Sequence, residues 1–316
     1  TVSEHLKVDQ FGYPPDVQKI CVVNNPTAGF DFEAGDFYTP GATLQVVKAA
    51  DNSIIMSGPA VAWHGGASYD QSGDIVWWFD FSAVTTPGTY FIYDPLNVKR
   101  SFTFDIRADV YTEVLKKSVR MFYYQRSGFA KTAPFAYDWA DGASHLGTQQ
   151  DLDCRLVTNP VPGTSKQLQG GWFDAGDYNK YVNFAYEPIH DLSLAYIERP
   201  EVWTDDYNIP ESGNGIPDLL DEMKWELDWL RRMQLANGSM LMKVSVTDFS
   251  AASPPSADSG ARRYGPAQAS ATRTAASMFA IAAIAYNLSG HPAMQLYADT
   301  LEQAARKAWY WLIANP

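Results

Sequence analysis

The strongest constraint on this chain is a change of hydrophobic period near Arg107. Before it, apolar residues alternate in short runs: Ile20-Cys21-Val22-Val23, Thr43 to Val47, Ile75 to Phe81, Thr89 to Tyr93 and Phe102 to Ile106. The segments Asn25-Pro26, Pro40-Gly41, Ser57-Gly58-Pro59 and Pro87-Gly88 read as turns between strands. After it, apolar residues recur at helical spacing, first over Tyr111 to Gln125 and then in later segments. A chain patterned this way folds as a β-sandwich followed by an all-α domain, and residues 1–107 and 108–316 are the expected domains.

The helical part is uneven. Ser127 to Gln169 is a long irregular stretch whose aromatics Phe135, Tyr137 and Trp139 favour an ordered, functional loop. Helices are expected over Pro188 to Ile197, Ile216 to Gln234, Ala271 to Leu288 and Ala293 to Ala314. The second of these is the best signalled, with Ile216, Leu219, Leu220, Met223, Leu227 and Leu230 in one stripe and acids at its start. The third is small and apolar nearly all round, which implies burial between other helices.

Chemistry concentrates in Gly170-Gly171-Trp172-Phe173-Asp174-Ala175-Gly176-Asp177-Tyr178-Asn179-Lys180-Tyr181. Two carboxylates lie three residues apart with a small pair between them and aromatic rings on both sides. Such a turn suits a capping feature or a calcium loop, although the EF-hand pattern fails because its twelfth position is Ala185. It equally suits a base site, in which two acids share a water and Trp172, Tyr178 and Tyr181 border a sugar. Spacing alone leaves both readings open.

A formal charge of −12 argues against nucleic acid and anionic membranes and favours a neutral substrate. Aromatics make up 14% of the chain, and although most of them suit a core, flat half-polar rings also stack on pyranose faces. No apolar run is long enough to span a membrane. Cys21 and Cys154 form no Cys-x-x-Cys or Cys/His cluster, so neither a disulfide framework nor a zinc ribbon is expected. His64, His190 and His291 read as surface or satisfied histidines.

The Gly170 to Tyr181 stretch resembles the signature of family 9 glycoside hydrolases, the endoglucanases and related enzymes, in which the loop reads G-G-W-x-D-A-G-D-x-x-K-Y. Asn214 to Glu222 with Trp225, and Arg263-Tyr264 with Ser270-Ala271-Thr272, resemble later parts of that family. Val8 to Pro14, Phe81-Ser82 and Pro87 to Tyr90 resemble the immunoglobulin-like domain that precedes the catalytic domain in one branch. The resemblance implies an immunoglobulin-like β-sandwich followed by an (α/α)6 barrel, of which about the first five helices are expected here. It implies inverting hydrolysis of β-1,4 bonds in cellulose or a related β-glucan, with Asp177 as general base and Asp174 helping to hold the water.

It implies no required cofactor, calcium being admissible as a structural ion, and a secreted or periplasmic location. The zinc site of some branch members is not expected, since Ser127 stands where a Cys would be and His145 has no adjacent Cys. The family's general acid, a glutamate after an Asn, has no match, and the sequence contains no Asn-Glu pair. The chain is therefore expected to be the front of a longer enzyme. An exo-acting hydrolase of cello- or glucosamine-containing oligomers, and a non-catalytic carbohydrate-binding relative, are the alternatives.

Overall fold

A computed structural model describes residues 1–249 and 251–316. It divides into two compact units, Thr1–Leu115 and Lys116–Pro316.

The first unit is a two-sheet sandwich. One sheet runs β1 (Leu6–Lys7), β2 (Ile20–Pro26), β6 (Asp74–Asp80), β5 (Val61–Ala62), and the other runs β4 (Ile54–Pro59), β3 (Thr43–Lys48), β7 (Gly88–Asp94), β8 (Lys99–Arg100), with β9 (Phe104–Ile106) also on β7. Alternation aims Cys21, Val23 and Phe79 from one sheet at Leu44, Val46, Tyr90 and Ile92 from the other, closing an apolar core with Tyr13, Phe81, Phe104 and Ile106. Strand pairing across β2 and β6 is antiparallel throughout, from Ile20 opposite Asp80 to Pro26 opposite Asp74.

Two turn assignments are corrected. Ser57-Gly58-Pro59 belongs to β4, paired with β3 from Thr43 opposite Pro59 to Val47 opposite Ile54. Asn25-Pro26 is the end of β2. In both cases proline sits at the last strand residue, where loss of its N–H disturbs the ladder least.

The helices α1 (Thr112–Gln125), α2 (Tyr186–Glu198), α3 (Asp218–Met233), α4 (Ala269–Leu288) and α5 (Pro292–Ala314) follow. In α3 the whole apolar stripe is buried, together with Glu222, Glu226 and Trp229. It packs on α2 and α4, and the Tyr286 hydroxyl of α4 donates to the Leu220 carbonyl at 2.5 Å. α4 packs on α5 and α2, with Met278, Phe279 and Tyr286 buried and Ile284 left 59% exposed beside α5. Among the described residues no helix is long and apolar enough to cross a membrane.

Between the helices lie short strands: β10 (Arg155–Leu156), β11 (Lys180–Tyr181), β12 (Met240–Leu241), β13 (Lys243–Val246), β14 (Arg262–Tyr264) and β15 (Ala267–Gln268). The sheet β10-β14-β13-β11 matters most here, because β11 is the end of the acidic stretch.

Candidate functional site

The stretch from Gly170 to Tyr181 is anchored at both ends before any acid is placed. Gly170 and Gly171 have φ of 90° and 77°, a left-handed backbone that favours glycine. A Cβ on Gly171 would lie 2.7 Å from Trp229 Cγ, so the loop rests directly on α3. Beyond the glycines, the Phe173 amide donates to the Gln125 carbonyl and the Ser127 amide to the Gly171 carbonyl, each at 2.8 Å, tying the loop to the end of α1. At the other end, β11 pairs with β13, Lys180 opposite Val244.

Between these anchors the two aspartates sit in one tight turn. The Asp174 amide donates to the Asn179 carbonyl at 2.8 Å and the Tyr178 amide to the Ala175 carbonyl at 3.1 Å. Both oxygens of Asp177 accept from Asn179, Oδ1 from its backbone N–H at 3.0 Å and Oδ2 from its side-chain amide at 2.7 Å. Asn179 is itself fixed, because its Oδ1 accepts the Val246 amide at 2.9 Å and its Nδ2 donates to the Tyr181 hydroxyl at 3.0 Å. Withdrawal from water, reinforced by the negative charge of Asp177, pushes the Asp174 carboxyl above the usual carboxylate range.

The aromatic residues divide. Trp172, Phe173, Asp174, Tyr181 and Phe184 line a groove of about 280 Å³, together with Phe122 and Glu226. The Trp172 ring lies 4.5 Å from that of Phe122, and Tyr181 lies 4.8 Å from Phe184. Tyr178 does not join them. With φ of 62° it turns inward onto Phe173 and His145, and its hydroxyl donates to the Ala252 carbonyl at 3.1 Å. Its ring is buried with Phe173 and Val246 and does not line the groove.

Behind the turn is a layer of buried charge that the sequence reading did not identify. The Lys180 Nζ donates to Asp151 at 2.6 Å, to the Gly170 carbonyl at 2.6 Å and to the Leu168 carbonyl at 3.0 Å. Arg262 donates to the other Asp151 oxygen at 2.5 Å and to the Tyr178 carbonyl at 2.8 Å. On the α3 side, Glu226 accepts the Trp172 amide at 2.6 Å, and Glu222 accepts the Trp172 indole N–H at 2.9 Å and pairs with Arg126. Glu222 and Glu226 were visible as acids one turn apart beside an apolar stripe, a placement that demands partners. Asp151 and Arg262 had no comparable signal.

Burial pushes Glu226 up to about 8, against the opposing pull of the Trp172 amide and the Lys180 charge. A carboxyl whose folded pKa lies above its unfolded value stabilises the fold fully below the unfolded value and loses that contribution as pH rises, here between 4.5 and about 8. Glu226→Gln is therefore expected to flatten the loss of thermal stability between pH 5 and pH 8. Parallel melting curves that keep the same slope as the parent would contradict this.

His145 is buried, its Nε2 lies 3.0 Å from Asp258, and burial together with the Arg262 charge lowers its pKa to about 4. Cys154 is a buried free thiol pushed up to about 12 by burial, and Cys21 is likewise buried and free. Among the described residues, no group of three or more His, Cys, Asp and Glu side chains is placed to hold a metal ion.

Residues 111–316 match the model of glycosyl hydrolase family 9, and residues 1–95 match that of the cellulase N-terminal ig-like domain. The chain is 32% identical over 260 residues to a xyloglucan-specific endo-beta-1,4-glucanase of Bacteroides ovatus, covering 78% of this chain and 39% of that protein. It is 31% identical over 279 residues to Endoglucanase D of Acetivibrio thermocellus, covering 87% and 42%. A cellodextrinase of Butyrivibrio fibrisolvens is 31% identical over 316 residues, covering 98% and 51%. Among solved structures, a metagenome-derived glycoside hydrolase family 9 endoglucanase superposes with a TM-score of 0.81 at 32% identity, covering 98% of this chain and 54% of that one. The chain thus spans about two fifths to one half of the length of these relatives.

Proposed function

The chain belongs to glycosyl hydrolase family 9, and on that premise we propose that its protein hydrolyses β-1,4 bonds in cellulose or a related β-glucan with inversion. The observation that carries this reading is the Asp174/Asp177 turn, set at the edge of an aromatic groove and fixed from behind by Asn179. In this reading Asp177 is the general base. Its two oxygens are already oriented, so a water that it deprotonates attacks the anomeric carbon from a defined direction. Asp174 holds the same water and, with its raised pKa, shares the proton load of the pair.

Tyr181, partly exposed, borders the groove where a pyranose would stack, and the largely buried Trp172 forms part of its wall. Protonation of the leaving oxygen needs a carboxylic acid on the opposite side of the bond, and no residue of this chain is assigned that role. The helices α1 to α5 are read as the front of an (α/α)6 barrel, with residues 1–107 and 108–316 as the two domains. No metal or cofactor is needed for water activation by carboxylates, and calcium remains a structural option. A polymeric substrate implies a secreted or periplasmic enzyme.

The names of the relatives support the substrate class, since they include a xyloglucan-specific endo-beta-1,4-glucanase and a cellodextrinase. The test is to incubate the protein that carries this chain with amorphous cellulose, xyloglucan and cello-oligosaccharides and follow the new reducing ends by proton NMR. The expected first product carries the α-anomer, because a single displacement at a β-linked carbon inverts it. A β-anomer, or no cleavage of any of these glucans, would overturn the proposal.

A further inference from the structure

The sandwich unit carries aromatic residues that its core does not use. Because Cys21, Val23 and Phe79 face inward, their strand neighbours Ile20, Val22, Trp78 and Asp80 face outward on the same sheet. Trp78 stands between Val22 and Val61 in register and is 46% exposed. Next to it the turn after β5 lays the His64 ring flat against Trp63, with centroids 3.8 Å apart and planes within 2°, and Tyr69 meets Trp63 edge-on at 5.4 Å. Trp63, His64 and Trp78 border a hollow of about 400 Å³ whose lining also includes Gln18, Ile20 and Asp80.

We propose that this hollow is a carbohydrate-binding site, separate from the acidic turn, that takes a short stretch of neutral β-1,4-linked glucan. An indole left half in water on an open sheet face gains little for folding, because the sandwich core is closed without it. Two indoles beside one hollow, with an amide, an imidazole and a carboxylate at its rim, match what a pyranose presents. Its C–H face covers the rings and its equatorial hydroxyls reach the polar groups. The volume falls within the ordinary range for small-ligand sites. A neutral ligand fits better than an anionic one, since Asp80 lies in the lining and the chain carries a formal charge of −12. The choice of glucan over another neutral saccharide rests on the hydrolase reading, whereas the site rests on its own geometry.

The experiment is affinity electrophoresis through gels containing hydroxyethylcellulose, mannan or no polysaccharide. It compares the protein with its Trp78→Ala and Gln18→Ala variants, all in an Asp177→Ala background so that the polymer stays intact. Retardation in the glucan gel is expected for the parent, with the apparent dissociation constant raised about 3- to 10-fold in Trp78→Ala, the range of a single lost ring stack, and less in Gln18→Ala. In the Asp177-intact protein, Trp78→Ala is expected to leave the rate on a soluble cello-oligosaccharide unchanged. Equal retardation of parent and both variants overturns the site, and retardation confined to mannan overturns the ligand. Gln18 is an exposed side chain, so its variant keeps the test decisive if the tryptophan variant folds poorly. A failure of Asp177→Ala to reduce hydrolysis would be read in a separate assay and would count against the catalytic reading alone.

Discussion

Asp177→Ala is expected to lower kcat on a soluble β-glucan at least about 10²-fold while leaving KM close to the parent value. The reasoning starts from what the side chain touches. Both of its oxygens accept hydrogen bonds from Asn179, and Asn179 is tied in turn to Val246 and Tyr181. Truncation to alanine removes the proton acceptor but leaves Asn179 with its other partners, so the turn and the groove keep their shape and substrate still binds. Asparagine is the poorer choice, because its amide N–H₂ would face the N–H₂ of Asn179 and drive it to turn over, losing the Val246 amide. Asp174→Ala should cost less in kcat, since it removes one holder of the water and keeps the base. Near-normal hydrolysis by the Asp177→Ala protein would remove that residue from the mechanism.

How far these features were legible beforehand depends on the distance over which the partners act. The sandwich and the helices were readable because period is local: β7 alternates with Tyr90, Ile92 and Asp94 inward, and every residue of the α3 stripe is buried. Strand β4 was hidden because it lies at a sheet edge with most of its residues exposed, so no alternation marks it, and its Gly-Pro pair imitates a turn. Gly58 also has a packing reason to be there, as a Cβ would approach the Phe79 ring to 3.1 Å.

The acidic pair was found through its spacing and through a motif, yet the orientation of its neighbours was not. Tyr178 and Tyr181 look alike in sequence, and only the left-handed backbone at Tyr178 sends one ring into the core while the other stays on the groove. The supporting charges were the least visible part. Asp151 meets Lys180 across 29 residues and Arg262 across 111, and neither separation has a periodic signature.

That buried cluster makes the most destructive substitution outside the acidic pair predictable. Asp151→Asn is expected to cost about 3–5 kcal/mol of stability, the range for removing one partner of a buried ion pair. Lys180, Arg262 and Asp151 are all fully buried, so the variant would leave two cations facing a neutral amide with no water to accept them. Burial alone would raise the Asp151 carboxyl, but the charges of Arg262 and Lys180 outweigh it and hold it below the usual range. A carboxyl depressed in the fold contributes above its unfolded value of 3.8, so the loss should be full at neutral pH and fade as pH falls through the folded value.

The same substitution reaches the acidic turn. Lys180 holds the Leu168 and Gly170 carbonyls and Arg262 holds the Tyr178 carbonyl, so once Asp151 no longer fixes these cations the loop carrying Asp174 and Asp177 loses its floor. Urea unfolding at pH 7 reads the first effect and kcat the second, and adding Lys180→Met should restore part of the stability by removing one stranded charge without restoring the rate. An unchanged urea midpoint for Asp151→Asn would mean that the cluster stabilises nothing and that the turn is held by its glycines and backbone pairing alone.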